Sequence, residues 1–323
     1  MEAFCGIDVS KSSFHADYSG NELGTREFKN KPSDFRKLVK WAPEGVKFVM
    51  ESTGPYHNRL ATFLFEAGYE VFVVNPLIIK RFSEAILSRA KTDSRDARII
   101  VEYAESRNFK LLPWKPRSRA STRMQQILRA MHSYEKQLTM NKNRKGANQD
   151  FGTEDPMVAR SLKSIIGHLK REIKKLEKEL ERIANEEFGT EMELLQSIKG
   201  IGPKTASLLV HATDGFTRFE NVKQLVAYAG LSPTISQSGT SLNRRGKICK
   251  KGNGALRRNL YMGAFSAIKY NKPCNQLFER LMEQGKHYQK ARVAVACKLL
   301  RQAFGVVTRG EKFNPDFHPK TCF

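Results

Sequence analysis

The apolar and polar positions of this chain change character twice along its length. In the first stretch, short apolar runs alternate with helical patterns. Phe4 to Val9 predicts a buried strand, and Ser13 to Tyr18 with Thr25 to Lys29 predicts a hairpin around Ser19-Gly20-Asn21. Ser33 stands where it can cap a helix running to Trp41. Lys47 to Glu51 predicts a second buried strand and Pro55 to Ala67 a helix with Leu60, Phe63 and Leu64 on one side. Glu70 to Val74 predicts a third buried strand, closed by Asn75-Pro76, and a long helical stretch bearing Asp93 and Asp96 follows. One hairpin, then strand, helix, strand, helix is an α/β order with a mixed sheet.

From about residue 115 the pattern becomes purely helical. Met124, Ile127, Met131, Tyr134 and Leu138 follow 3-4-3-4 spacing. Beyond a polar gap, Leu162, Ile166, Leu169, Ile173, Leu176, Leu180 and Ile183 follow 4-3-4-3-4-3. With Leu162 at d, Ile166, Ile173 and Leu180 occupy a, the arrangement of a two-stranded seam. The partner strand is either a second subunit or the preceding helix folded back. Residues 191–323 read as mainly helical, so the expected organisation is an α/β domain over 1–114, a helical coiled-coil connector over 115–190 and a basic helical domain over 191–323.

Charge changes the picture. The 323 residues hold 56 Lys and Arg against 33 Asp and Glu, a net charge of +23. Such a balance calls for a polyanionic partner, nucleic acid before an acidic membrane surface, because no lipid-facing stripe stands out. From Ser241 onward 18 basic residues face 4 acidic ones. The N-terminus lacks the pattern of a signal peptide, and no apolar run reaches membrane-spanning length. The five cysteines, Cys5, Cys249, Cys274, Cys297 and Cys322, are scattered and odd in number, as expected of reduced thiols in the cytoplasm.

Four acids carry the candidate chemistry. Asp8 and Glu51 end apolar runs, at strand carboxyl ends where α/β sheets place ligand sites. Asp93 and Asp96 lie three apart and share one helix face. Each alone is also compatible with a cap or turn acid. Together they suit hard cations beside a bound phosphodiester, with two Mg²⁺ roughly 4 Å apart activating and stabilising the exchanging oxygens.

Two further features suit phosphate binding. Gly200-Ile201-Gly202-Pro203-Lys204 between apolar helices has the form of a helix-hairpin-helix, with Gly200, Gly202 and Lys204 offered to a backbone phosphate. Its bland alternative is a plain interhelical turn. Arg244, Arg245, Lys250, Lys251, Arg257 and Arg258 flank Gly252-Asn253-Gly254 and a helix starting near Ala255, a candidate phosphate clamp. His57 reads as a helix-surface residue, and Trp41 and Trp114 as packing residues.

The phrases Gly6-Ile7-Asp8-Val9-Ser10-Lys11, Glu51-Ser52-Thr53-Gly54-Pro55-Tyr56, Val74-Asn75-Pro76 and Ala90-Lys91-Thr92-Asp93-Ser94-Arg95-Asp96-Ala97 resemble the DEDD insertion-sequence transposases, relatives of the Piv-type DNA invertases. Gly230-Leu231-Ser232-Pro233, Ser238-Gly239, Lys250-Lys251-Gly252-Asn253 and Leu256-Arg257 resemble that family's second domain. The resemblance implies a RuvC-like N-terminal domain of the RNase H-like fold, a Mg²⁺-binding tetrad of Asp8, Glu51, Asp93 and Asp96, and Ser238 as nucleophile. It also implies donor and target DNA as substrates, a structured noncoding bridge RNA as guide, and a dimer or tetramer whose composite sites pair the acidic domain of one subunit with the serine domain of another. On residue chemistry alone Ser236 and Ser241 remain alternatives to Ser238. Two other readings stay open at this point: a RuvC-like junction nuclease that activates water, and a nucleic-acid-binding protein without chemistry.

Overall fold

The computed structural model describes residues 2–52, 54–86, 93–107, 111, 113–150, 152, 155–238, 242–249 and 252–316; the side chains of residues 93, 94 and 233–247 are also outside the description. The chain divides into two compact units, Met1–Arg117 and Ser118–Phe323.

The first unit is built on β1 (Phe4–Val9), β2 (Ser13–Tyr18), β3 (Arg26–Lys29), β4 (Lys47–Glu51) and β5 (Val71–Val74), in the order β3-β2-β1-β4-β5. The β1–β2 and β2–β3 pairs are antiparallel, whereas β1–β4 and β4–β5 are parallel. The parallel pairs need helical crossovers, supplied here by α1 (Pro32–Trp41) and α2 (His57–Glu66). Strand alternation then sorts two cores. Cys5, Ile7, Val9, Phe48, Met50 and Val71 pack with Phe35 and Leu38 of α1 and Leu60 and Leu64 of α2. On the opposite face Phe4, Val49, Phe72 and Val74 pack with Ile79 of α3 (Pro76–Ala85) and with Ile99, Ile100, Tyr103 and Ala104 of α4 (Asp93–Arg107). Full burial of side chains such as Phe4, Phe14, Phe48 and Ile7 contributes about 1.5–3 kcal/mol each.

Two details correct the sequence reading and a third agrees with it. The N-cap of α1 is Lys31, not Ser33, and Asp34 anchors the first turn by accepting a hydrogen bond from the Lys29 N–H at 3.0 Å. His57 is buried at the start of α2 rather than lying on its surface. Trp41 packs edge-on against Tyr18 and lies near Phe28, and Trp114 meets Phe65, so both tryptophans are packing residues as expected.

In the second unit α5 (Arg119–Asp150) and α6 (Pro156–Gln196) form a long hairpin. The heptad seam of α6 faces α5 of the same chain, with Met124, Met131, Leu180 and Ile183 in one core and Arg123 paired to Glu179 at 2.9 Å. That core continues without a break into α7 (Pro203–Thr213), α8 (Val222–Tyr228), α9 (Gly254–Tyr270) and α11 (Tyr288–Arg309), through Leu209, Leu225, Leu260 and Leu299. The short α10 (Lys272–Glu283) packs alongside, and α6 is interrupted at Phe188, whose φ of −130° and ψ of 39° are not helical.

One element was not foreseen. Residues expected to form a polar loop pair as an antiparallel hairpin, β6 (Pro233–Ser238) with β7 (Leu242–Ile248). The run is too polar to show an apolar period of two, so its pairing leaves no pattern to read.

Candidate functional site

The acidic tetrad is positioned by strand direction and one glycine. The parallel register pairs Ile7 with Met50, so Asp8 and Glu51 each stand one residue further on, at the carboxyl ends of neighbouring strands. Alternation puts both on the face of Phe4, Gly6 and Val49, which α4 covers. Gly6 makes that cover close. A Cβ there would lie 2.5 Å from the Ala97 carbonyl oxygen and 2.7 Å from the Val101 nitrogen, so only a glycine lets the helix backbone touch the strand.

Direction follows from the same contacts. Phe4 shares its core with Ile100, Tyr103 and Ala104, while Gly6 meets Ala97 and Val101, so α4 runs against β1. Asp8 lies roughly 7 Å beyond Gly6 along the strand. Asp93 lies one helical turn, roughly 6 Å, before Ala97. The two displacements have the same sense, which brings the start of α4 to the strand ends that carry Asp8 and Glu51. Asp8, Glu51 and Asp96 are half-buried there. Among the described residues no three His, Cys, Asp or Glu side chains are grouped closely enough to hold a metal; the Asp93 side chain lies outside them. The donor set is all carboxylate oxygen, which fits Mg²⁺ or Mn²⁺ and disfavours softer ions.

In the second unit the glycine turn is a packing device as well as a candidate phosphate site. Gly200 has φ +108°, and a Cβ on it would come within 2.8 Å of the Ala267 Cβ and 3.0 Å of the Gly263 oxygen on α9. Gly202 caps α7, with Pro203 in its first turn. Lys204 reaches into the fold, 2.7 Å from Glu177 and 3.1 Å from Glu135. Partial burial pulls its pKa down, but hydrogen bonds to Glu177 and then Glu135 outweigh this, and the net shift is upward.

Ser238 is the last residue of β6, paired across the hairpin with Leu242, while Ser236 pairs with Arg244. Arg245 also lies on β7. Ser241, Lys250 and Lys251 lie outside the described residues. Gly252, at φ +146°, lets the chain pass against the Tyr228 carbonyl, and Asn253 then caps α9 by accepting from the Leu256 N–H at 3.0 Å. Arg257 is partly structural, since its guanidinium donates to the Ala229 carbonyl at 2.8 Å. Arg258 is exposed. Both arginines line a cleft of about 640 Å³ with His132, Leu231 and Tyr261.

The tetrad thus belongs wholly to the first unit, and Ser238 and the basic residues to the second. The sequence reading missed Arg292. It is only 5% exposed, yet its guanidinium lies 3.2 Å from the Phe265 ring centre and 3.8 Å from that of Tyr261. The available signal was an arginine on the side of α11 otherwise formed by Ala291, Val295, Ala296 and Leu299.

Two family models match this chain. Residues 5–147 match the transposase model of the DEDD, IS110 type, and residues 192–279 match the model described as Transposase IS116/IS110/IS902 family. The chain is 28% identical over 327 residues to the pilin gene-inverting protein of Moraxella bovis, covering 98% of this chain and 99% of that protein. It is 29% identical over 328 residues to the pilin gene-inverting protein of Moraxella lacunata, with the same coverage. Among solved structures, T. thermophilus RuvC in complex with a Holliday junction substrate aligns with 35% of this chain and 100% of that chain, at 17% identity and a TM-score of 0.26.

Proposed function

We infer the reaction from a premise about kinship: this chain belongs to the IS116/IS110/IS902 transposase family and is a DNA recombinase. Its first unit is assigned to the RuvC-like branch of the RNase H-like fold, a reading that the mixed order β3-β2-β1-β4-β5 supports. The site assignment is supported by the parallel register, which sets Asp8 and Glu51 at neighbouring strand ends, and by Gly6, which lets α4 lie close against that face of the sheet.

Asp8, Glu51, Asp93 and Asp96 are assigned as ligands of two Mg²⁺. Such ions polarise a phosphate oxygen and stabilise charge on the attacking and leaving oxygens. Ser238 is assigned as nucleophile. Its Oγ forms a bond to phosphorus while the bond from phosphorus to the oxygen of one strand end breaks; the serine proton passes to that oxygen, leaving a hydroxyl there and a phosphoserine link to the other end. Reversal with a hydroxyl from a second duplex rejoins the strands, with the number of phosphodiester bonds unchanged. Full-length relatives named for pilin gene inversion support such exchange over simple cleavage. Arg244, Arg245, Lys250, Lys251 and Arg258 are assigned to phosphates, joined by the Gly200–Lys204 turn as a helix-hairpin-helix. We further assign a noncoding RNA as guide and a homo-oligomer in which a second copy supplies the serine.

The test is a denaturing gel of full-length protein with cognate DNA and Mg²⁺. The parent protein gives a covalent protein–DNA band, Ser238→Ala gives none, and Asp8→Asn gives none while still shifting DNA on a native gel. Strand cleavage without a covalent band would instead identify a nuclease that activates water.

A further inference from the structure

The exposed side of α9 sets two apolar groups between two basic ones, with no acid among them. Arg258, Met262, Phe265 and Lys269 follow 4-3-4 spacing and share one face, roughly 16 Å long. Met262 is 59% exposed and Phe265 49%. Neither α9 nor α11, which packs against it, contains an Asp or Glu. A helix whose purpose is packing would not leave these two large side chains open to water in a row.

Phe265 is also held from behind. The Arg292 Nε donates to the Tyr261 carbonyl at 3.0 Å, and its Nη2 lies 3.8 Å from the Met262 sulfur. The guanidinium lies against the Tyr261 and Phe265 rings. The inner face of Phe265 is therefore covered by a cation, and the ring is fixed before any ligand arrives. Tyr261 continues into the 640 Å³ cleft beside Arg257 and Arg258. At the other end the Lys269 ammonium lies 5.1 Å from the ring centre of Tyr270, which is 62% exposed.

Fixed aromatic faces interleaved with cations are the elements that bind unpaired nucleotides, in which bases are free to stack and phosphates lie alongside. A duplex offers phosphates but keeps its base faces covered. We propose that this face of α9, from the cleft at Arg258 and Tyr261 to Lys269 and Tyr270, is a stacking platform for a single-stranded segment of nucleic acid, with a base on Phe265. The inference rests on reading this unit as nucleic-acid-binding, and does not depend on Ser238 or the tetrad.

The experiment is fluorescence anisotropy of the full chain with labelled dT12, rU12 and a twelve-base-pair duplex at one salt concentration. Phe265→Ala weakens single-strand binding about tenfold, the scale of one lost stacked base, and leaves duplex binding within about twofold. Loss confined to rU12 assigns the platform to RNA, and loss confined to dT12 to unpaired DNA; either supports the proposal. Phe265→Trp keeps the affinity, and its fluorescence is quenched by the bound strand. Unchanged binding of both single strands by Phe265→Ala overturns the proposal, and if subunit association falls at the same time, the face joins two copies of the chain. If Phe265→Ala does not fold, an unquenched Phe265→Trp overturns it. The phosphoserine band is read on the parent protein and on Ser238→Ala, so failure here is distinct from failure of the serine assignment.

Discussion

Replacing Gly6 by alanine tests how the acidic site is assembled. The added Cβ would sit 2.5 Å from the Ala97 carbonyl oxygen, 2.7 Å from the Val101 nitrogen and 2.9 Å from the Val101 Cγ2. Two of these atoms are backbone of α4, so no side-chain rotation relieves them. Reaching the 3.4 Å of ordinary contact requires the helix to retreat by nearly 1 Å. Overpacking of this kind costs about 2 kcal/mol, or roughly 8 °C in the melting of this unit. The same retreat moves Asp93 and Asp96 away from Asp8 and Glu51, and a displacement of that size lowers strand cleavage by about 10²-fold. Differential scanning calorimetry and a cleavage assay at saturating Mg²⁺ measure the two effects, with DNA affinity as the control that should not move. A Gly6→Ala protein that melts and cleaves like the parent would refute the claim that close approach of α4 builds the site.

Other consequences are equally direct. Lys204→Met should lower the melting temperature of the second unit by an amount equivalent to about 1 kcal/mol and change DNA affinity less than Arg258→Ala does, because Lys204 shares its charge with Glu135 and Glu177; unchanged melting with DNA binding as weak as that of Arg258→Ala would contradict this shared role. The Lys29 N–H, then Lys37, hold the Asp34 carboxyl below its ordinary pKa. Its stabilising effect is therefore complete above the unfolded-state value, near 4, and is lost as pH falls through the lower folded value; melts at pH 5 and pH 2.5 should show a smaller loss for Asp34→Asn than for the parent, and equal losses would contradict the assignment. Burial pushes the Cys5 thiol far up and the Cys274 thiol up to about 12, so neither should react with a maleimide in the native protein at pH 7.5, as peptide mass mapping would establish.

The legible parts of the chain were those with a period. Largely apolar runs at Phe4–Val9, Lys47–Glu51 and Glu70–Val74 announced buried strands, and the ends of the first two pointed to Asp8 and Glu51. The 4-3 spacing from Leu162 to Ile183 announced a seam, though a seam alone does not distinguish a second subunit from α5 folded back. What escaped was set by tertiary contact. The hairpin around Ser238 is held by pairing between polar residues, which have no hydrophobic signature. The pairing of Lys204 with Glu135 and Glu177, 69 and 27 residues away, was invisible to local reading. Ser33 looked like a cap because its side chain suits one, but the cap is Lys31 and the helix begins at Pro32, two residues earlier than a Ser33 cap would place it. Arg292 was passed over because one cation in a run of small apolar residues reads as surface until Phe265 and Tyr261 are seen to enclose it.

The central claim is that DNA becomes linked to a particular serine, and mass spectrometry of the covalent complex tests it most directly. After nuclease and trypsin digestion of the trapped adduct, the nucleotide remnant should map to Ser238, with Ser236 and Ser241 unmodified. A remnant on either neighbouring serine, or a trapped complex with no covalent link at all, would contradict the account.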